Sequence, residues 1–261
     1  MTNVAIYFNG RCGSTWLTDY LLLNMNNNGV GMDCLWEYWG ENRLYHEVDG
    51  SVRPKSMHTW KWAEENINQD ELFDEKVRLL RSTNANNNFI RFTEHEGYVD
   101  KPFDYMLTSN TKWIVMNRRD RFDQMISHAM CWITDRWHVW TQEGLDEYHT
   151  WYSENPITIP KDMCENWLRS YLRFVQRRRR LQESGLLLGQ VTYEKMQDDA
   201  VVVAKDLLAH FGVASPTIAN PVDNVNSTLK LGTPSDKSKW VSNYNDLLEW
   251  YRGSDWPAVV G

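Results

Sequence analysis

The sequence contains few of the residues that build metal centres or disulfide frameworks. It has four cysteines at wide spacings with no C-x-x-C pair, and its seven histidines form no H-E-x-x-H pattern. We therefore expect reduced thiols and no bound metal ion. The cysteines are Cys12, Cys34, Cys131 and Cys164.

Long apolar runs and excess positive charge are also lacking. No stretch approaches the roughly 18 apolar residues of a membrane-spanning helix. The N terminus has no basic region and enters a short apolar run, Val4 to Phe8, which is too short for a signal peptide. The formal net charge of −7 has the wrong sign for coating nucleic acid or an anionic membrane. We expect a cytoplasmic protein with neither partner, in which any polyanion site is local.

The overall composition is that of an ordinary globular protein. Hydrophobic residues make up 42% and charged residues 24% of the chain, which argues against disorder. A chain of 261 residues fits one large domain or two small ones, and we expect a single domain over residues 1–261. An oligomer is compatible with this composition.

Apolar strands alternate with helical patterns along the chain. Val4 to Phe8 predicts a strand that is followed by a glycine-containing loop and a helix, and Trp113 to Met116 predicts a second strand before a helix. A long helix over 161–184 is followed by a third strand, Leu186 to Tyr193, and another helix. This alternation predicts an α/β, P-loop-like three-layer fold with a central, mainly parallel sheet flanked by helices.

Four further segments are interpreted as surface features. The asparagine-rich stretches 24–28 and 84–88 are typical of surface turns, and residues 213–235 predict a long loop. The arginine run 177–180 extends a helix beyond its apolar face, which favours a solvated helix end outside the functional site.

The loop after the first strand has the features of an anion site. A glycine-containing turn that opens a helix presents backbone N–H groups and the positive helix end to a ligand. Arg11 adds a cation there, and Ser14 and Thr15 add hydroxyl donors. The Gly-Lys-Ser/Thr ending of a Walker A loop is absent, which disfavours ATP hydrolysis. The alternative for the Gly-Ser-Thr tripeptide alone is a simple helix N-cap.

Three segments in order resemble the sulfotransferases that use 3′-phosphoadenosine 5′-phosphosulfate (PAPS). Residues 8–17, FNGRCGSTWL, are similar to the 5′-phosphosulfate loop of that family. Residues 119–127, RDRFDQMIS, resemble its 3′-phosphate segment, in which an arginine precedes a serine by eight residues. Residues 191–196, VTYEKM, and the helix end at 208–213 resemble its Tyr-Glu-Asp strand and Phe-Leu-Gly-Val helix end.

The motif style is most similar to the bacterial trehalose 2-sulfotransferase branch, on residues 118–121 and Trp137-His138. The matches span most of residues 4–240, whereas segments 30–100 and 140–165 match poorly. Cys12 stands where a serine is usual. Residues 237–240, KSKW, are similar to a tail segment of the family, but the Arg-Lys-Gly element of the cytosolic enzymes is absent.

The resemblance implies a role for each matched residue. It implies that PAPS is the co-substrate and that a small hydroxyl compound is the acceptor, without a metal ion. Arg11 would bind the 5′-phosphosulfate and act on the leaving oxygen in catalysis. The cofactor-binding set would be Arg11, Cys12, Gly13, Ser14, Thr15, Trp16, Arg119, Ser127 and Tyr193, with Arg119 and Ser127 on the 3′-phosphate and Trp16 and Tyr193 beside the adenine.

A general base must accept the proton of the acceptor hydroxyl. Glu37 is the first candidate, because the trehalose-type branch has a glutamate before aromatics soon after the first helix. His95 is the second, because cytosolic relatives have a histidine in a comparable position. For each, a surface turn residue is an equal alternative.

The sequence has fourteen tryptophans, and several fall in the segments expected to face the acceptor. Their aromatic faces would stack on a sugar ring, which favours a carbohydrate acceptor, although core packing is the commoner use of tryptophan. The tryptophans in question are Trp36, Trp39, Trp60, Trp62, Trp137 and Trp140.

Two other classes of protein remain open. A P-loop nucleotide kinase would share the strand-loop-helix unit, but would need magnesium and would prefer ATP. A catalytically inactive nucleotide-binding protein would bind 3′-phosphoadenosine 5′-phosphate (PAP) without transferring a group.

Overall fold

The computed structural model describes residues 2–30, 33–35, 43–44, 61–62, 69–82, 87–94, 100–109, 111–136, 142–219 and 236–260. Strands in these ranges are β1 (Thr2–Phe8), β2 (Asp33–Leu35), β3 (Arg43–Leu44), β4 (Lys61–Trp62), β5 (Asn87–Thr93), β6 (Lys112–Asn117) and β7 (Leu187–Thr192). Helices are α1 (Ser14–Asn27), α2 (Gln69–Ser82), α3 (Asp100–Thr108), α4 (Arg121–Thr134), α5 (Gln142–Glu154), α6 (Lys161–Glu183), α7 (Tyr193–Ala209), α8 (Tyr244–Gly253) and α9 (Trp256–Val260). A 3₁₀ turn, Lys237–Lys239, precedes α8.

Five strands form one parallel sheet in the order β2-β5-β1-β6-β7, and β3 pairs antiparallel with β4 in a separate small sheet. The run Val4 to Phe8 in β1 is at most 4% exposed. A central parallel strand is covered on both faces, which is why its sequence is a continuous apolar run.

Helices cover both faces of the sheet. Because successive side chains of a strand point to opposite faces, Ala5 and Tyr7 pack in a core that includes residues of α3, α4 and α6. Val4 and Ile6 pack in a second core with residues of α1 and α7. The predicted three-layer α/β fold is confirmed.

The carboxyl ends of β1, β5 and β6 meet at the same edge of the sheet. Phe8 at the end of β1 is in register with Thr93 of β5 and Met116 of β6. The chain builds β2 and β5 on one side of β1 and then places β6 and β7 on the other side. In open α/β sheets the crevice at such a switch of direction is the usual ligand site. The loop after β1 starts at this position.

One central strand was not predicted. The surface turn predicted at 84–88 is wrong for Asn87 and Asn88, which are the first residues of β5. Residues 84–86 lie outside the described residues. The strand was hard to recognise because Arg91 interrupts its apolar residues. Arg91 is nonetheless buried, with only 3% of its surface exposed.

The surface turn predicted at 24–28 is also wrong. Helix α1 continues through Asn27. Asn24 is fully buried, and its side-chain oxygen accepts a hydrogen bond from the backbone N–H of Ala219 at 2.8 Å. Asn28 donates to and accepts from the backbone of Thr217, both at 2.9 Å. These amides fix the first part of the predicted long loop on α1. Residues 220–235 of that loop lie outside the described residues.

The interpretation of the arginine run 177–180 as a solvated helix end is wrong for its first member. Arg177 is 6% exposed, and its guanidinium forms ion pairs with Glu94 and Asp100. Glu94, which directly follows β5, also accepts a hydrogen bond from the Tyr7 hydroxyl. Burial raises the pKa of Glu94 and the positive charge of Arg177 opposes that rise. The ion pairs therefore connect α6 to the end of β5.

Candidate functional site

The loop between β1 and α1 has a backbone suited to binding an anion. Arg11 and Gly13 both have left-handed backbone conformations, with φ of 64° and 81°. Gly13 is the N-cap of α1, so the first N–H groups of that helix, at Ser14 and Thr15, open onto the loop. Free N–H groups and the positive end of the helix dipole attract phosphate and sulfate groups.

Two constraints require glycine at position 13. Its positive φ is unfavourable for residues with a Cβ atom. In addition, a Cβ at Gly13 would lie only 2.6 Å from Cδ2 of Tyr193. The Tyr193 ring therefore packs directly against the loop. β7 ends at Thr192, so Tyr193 is the first residue of α7 and not the last of the strand.

Helix α4 holds the loop from the other side. The Gln124 side chain donates hydrogen bonds to the backbone carbonyls of Asn9 (3.0 Å) and Gly10 (2.8 Å). Asn9 is fully buried, and its Nδ2 atom has no hydrogen-bond partner among the described residues. A buried donor without an acceptor is unfavourable, and a ligand or water oxygen in front of the loop would satisfy it.

Two arginines reach the loop. Arg11 Nε lies 3.4 Å from Oγ of Ser127, which is 1% exposed on the inner face of α4. Arg91 Nη2 donates a hydrogen bond to Oγ of Ser14 at 3.0 Å. Two of the predicted motifs, the loop and the α4 segment, are thus in direct contact.

The thiol of Cys12 is inert in this setting. It is fully buried, and burial raises its pKa to about 12, so it stays neutral at physiological pH. The other cysteines with described side chains, Cys131 and Cys164, are also buried free thiols, as expected. Trp16 is partly buried and packs against the core that contains α1 and α7.

Arg119 and Ser127 occupy different environments. The Arg119 backbone N–H donates to both carboxylate oxygens of Glu194 (2.9 and 3.1 Å), and its side chain is exposed at the start of α4. Ser127 is buried beside Arg11, about two turns further along the helix. The predicted 3′-phosphate pair therefore consists of one exposed cation and one buried hydroxyl.

A second cluster of charges lies on α4 beside this site. Asp123 forms ion pairs with Arg118 and with Lys237 of the C-terminal 3₁₀ turn. The Arg118 guanidinium also lies over the Tyr193 ring, 4.9 Å from its centroid. Lys237 is 2% exposed; burial lowers its pKa, and Asp123 opposes that change. The tail segment at 237–240 thus contacts α4 through Lys237.

Several predicted site residues cannot be compared with the structure. Glu37 and His95, the two candidates for the general base, lie outside the described residues, although Glu94 directly precedes His95. The side chains of the acceptor-side tryptophans also lie outside them. Those are Trp36, Trp39, Trp60, Trp62, Trp137 and Trp140.

Sequence reasoning missed Arg91, Asn9 and Gln124. All three are buried polar residues among apolar ones, and their partners are distant in sequence. A signal was present for Arg91, since a charged residue flanked by Phe89, Ile90 and Phe92 needs a buried partner.

Comparison with known proteins does not place the chain in a family. Neither the models of protein families nor the curated proteins give a match to this chain. In the part of the chain that the structure describes, no helix combines the length and the apolar character needed to cross a membrane. Within the same residues, no three His, Cys, Asp or Glu side chains are grouped so as to hold a metal ion.

Proposed function

We propose that the protein is a sulfotransferase that transfers a sulfuryl group from PAPS to a hydroxyl group of a small acceptor. The observation that carries the proposal is the contact between the two donor-binding motifs. The loop at 8–17 and the segment at 119–127 are more than 100 residues apart in sequence, yet Arg11 Nε lies 3.4 Å from Ser127 Oγ. They meet at the switch point of the sheet, where α/β proteins bind nucleotides.

The loop provides the groups that a 5′-phosphosulfate needs. The N–H groups at the start of α1, the Arg11 guanidinium and the hydroxyls of Ser14 and Thr15 would bind its oxygens. The buried Nδ2 of Asn9 would gain the acceptor that it lacks among the described residues. Arg119 would bind the 3′-phosphate, and the Tyr193 ring, which packs beside Gly13, would flank the adenine.

The reaction consists of one displacement at sulfur. The acceptor oxygen forms a bond to sulfur while the bond from sulfur to the bridging oxygen breaks, and that oxygen remains on the 5′-phosphate of PAP. Negative charge increases on the leaving oxygen, where Arg11 and the loop N–H groups stabilise it. The proton of the acceptor hydroxyl passes to a general base. From the sequence we assign that base to Glu37, with His95 as the second candidate.

A nucleotide kinase is the less favoured alternative because the loop has no lysine of the Walker A type. Nucleotide preference separates the two functions. We expect PAP to raise the melting temperature of the protein more than ATP with magnesium does, because at equal concentration the ligand that binds the folded state more tightly stabilises it more.

The measurement is a thermal melt with each nucleotide at equal concentration, with adenosine 5′-monophosphate as the control that lacks the 3′-phosphate. Greater stabilisation by ATP with magnesium would contradict the proposal and favour a kinase. Equal stabilisation by PAP and the monophosphate would contradict the assignment of a 3′-phosphate site.

A further inference from the structure

We propose that Arg91 is a positioning residue for this anion site, one that directs the Ser14 hydroxyl proton toward the bound group. The inference rests on the proposed function for the identity of the ligand. It does not depend on it for the contact itself, because Arg91 Nη2 donates to Ser14 Oγ at 3.0 Å.

Arg91 is firmly held in the layer between the sheet and α1. It pairs with Ile6 in the register of β5 on β1, and it is 3% exposed. Its guanidinium lies over the Phe8 ring, 5.0 Å from the centroid. Its charge also acts on α1, where burial raises the pKa of Asp19 to about 6 and Arg91 opposes the rise. The Arg91 guanidinium is therefore buried beside the loop and is not exposed in front of it.

The hydrogen bond from Arg91 determines what the Ser14 hydroxyl can do. A serine hydroxyl has one proton to donate and lone pairs with which to accept. Arginine has donors only, so Ser14 Oγ is the acceptor in this pair and its own proton must go elsewhere. In the structure the Ser14 side chain is hydrogen-bonded to the Cys12 thiol, which is a weak acceptor. A phosphate or sulfate oxygen is a much stronger acceptor, so we expect an anion bound in the loop to take the proton from the thiol.

The charge of Arg91 strengthens this effect. An arginine that donates to a hydroxyl polarises the O–H bond, and hydrogen bonds in such chains strengthen one another in a low dielectric. The loop thus binds its anion with Arg11 directly and with Arg91 through Ser14. Direct contact between Arg91 and the ligand is not required.

A double-mutant cycle on ligand affinity tests the inference, with Arg91→Met, Ser14→Ala and the combined variant. Each single change should weaken PAP binding by about 10-fold or more, the loss expected for a charge-assisted hydrogen bond. The combined variant should lose much less than the product of the two single losses, because both changes remove the same interaction. Losses that multiply, or an Arg91→Met variant with wild-type affinity, would overturn the inference.

Two further variants separate positioning from folding. Arg91→Lys keeps the charge and a donor, so it should restore part of the affinity, and it replaces Arg91→Met in the cycle if that variant does not fold. Arg177→Met removes another buried arginine, 6% exposed, which pairs with Glu94 and Asp100 instead of Ser14. It should lower stability and keep PAP affinity within about 2-fold, since only Arg91 bonds Ser14 in this comparison.

Inorganic sulfate serves as a second probe, because the loop would bind it even if the nucleotide were not the ligand. Coupling between Arg91 and Ser14 with sulfate, in a protein that does not bind PAP, would uphold the inference and contradict the proposed function. PAP binding without coupling between Arg91 and Ser14 would contradict the inference and leave the proposed function standing. A wild-type protein that binds neither probe would overturn both.

Discussion

Gly13 has a conformation and a neighbour that together exclude a side chain. We expect Gly13→Ala to lower the free energy of unfolding by about 1–2 kcal/mol through its positive φ. The contact of the new Cβ with Tyr193 should add about 1–3 kcal/mol. Since Tyr193 must also move, PAP affinity should fall. Urea unfolding and calorimetric titration measure the two effects.

Gly185 provides the matched control for this substitution. It has a similar φ of 70°, but among the described residues no atom beyond its chain neighbours lies within 4 Å of the position of its Cβ. Gly185→Ala should therefore show the backbone penalty alone and bind PAP normally. If the two alanine variants were equally stable and bound PAP equally well, close packing of Tyr193 on the loop would be refuted.

The exposed side chain of Arg119 is expected to bind the 3′-phosphate. Arg119→Ala should weaken PAPS binding by about 10–100-fold, which corresponds to the loss of a charge-assisted hydrogen bond. Binding of adenosine 5′-phosphosulfate should change little, because that nucleotide has no 3′-phosphate. The control is Arg169→Ala, which removes an exposed arginine that pairs with Glu165 on α6. Equal losses for both nucleotides would rule out the assignment.

Candidate site residues could be named from the sequence where a motif contains them, but not where only the fold brings them together. Arg11, Ser14 and Ser127 were named from sequence patterns, and the structure places them around one loop. Asn9 and Arg91 belong to the same loop environment, but their buried positions follow from strand pairing and helix packing. Neither interaction leaves a local pattern in the sequence.

At the level of elements, the ion pairs of Arg177 join α6 to the end of β5. We expect Arg177→Met to lower the free energy of unfolding by about 3–5 kcal/mol, because Glu94 would stay buried without its closest cation. Arg180, on the same helix as Arg177, forms an exposed ion pair with Asp104 of α3, so Arg180→Met should cost less than about 1 kcal/mol. Similar losses in the two variants would contradict the buried role of Arg177.

The defect in Arg177→Met should depend on pH. Burial raises the pKa of Glu94 and Arg177 opposes that rise, so removing Arg177 raises the pKa further. When the pKa of a carboxyl group is higher in the folded state than in the unfolded state, the free energy of unfolding falls as the pH rises toward the folded-state pKa. The difference in unfolding free energy between wild type and variant should thus be larger at pH 8 than at pH 5. A difference that shrinks toward pH 8 would mean that Glu94, which keeps Arg173 and the Tyr7 hydroxyl as partners, is not the group whose charge Arg177 stabilises.

Elements with a clear apolar pattern were predicted well. Strands β1 and β6 are continuous apolar runs, and α6 runs over Lys161–Glu183, close to the predicted 161–184. Strand β5 was missed because Arg91 breaks its apolar run, and the end of α1 was missed because asparagine is typical of turns. In both cases tertiary structure outweighs the local preference, since β5 pairs with β1 and β2, and Asn24 accepts a hydrogen bond from the backbone of Ala219.

On the scale of the whole molecule, an acidic protein gathers basic side chains at one edge of its sheet. The net charge is −7, yet Arg11, Arg91, Arg118 and Lys237 all lie at or beside the loop after β1. Such a distribution suits a small anionic ligand in one pocket better than an extended polyanion. The fold was predictable from the sequence, and the residues proposed to bind the donor were named from its motifs, whereas the acceptor side carries no motif that names its substrate.

Transfer of labelled sulfate from PAPS to a library of hydroxyl compounds tests the central claim most directly. We predict that the wild-type protein forms a sulfated product together with an equal amount of PAP. Arg11→Met should reduce turnover by about 100-fold or more, because Arg11 acts on the charge that increases on the leaving oxygen, whereas Arg169→Met should not. Tight binding of PAP with no transfer to any acceptor, or transfer of phosphate from ATP in its place, would contradict the account.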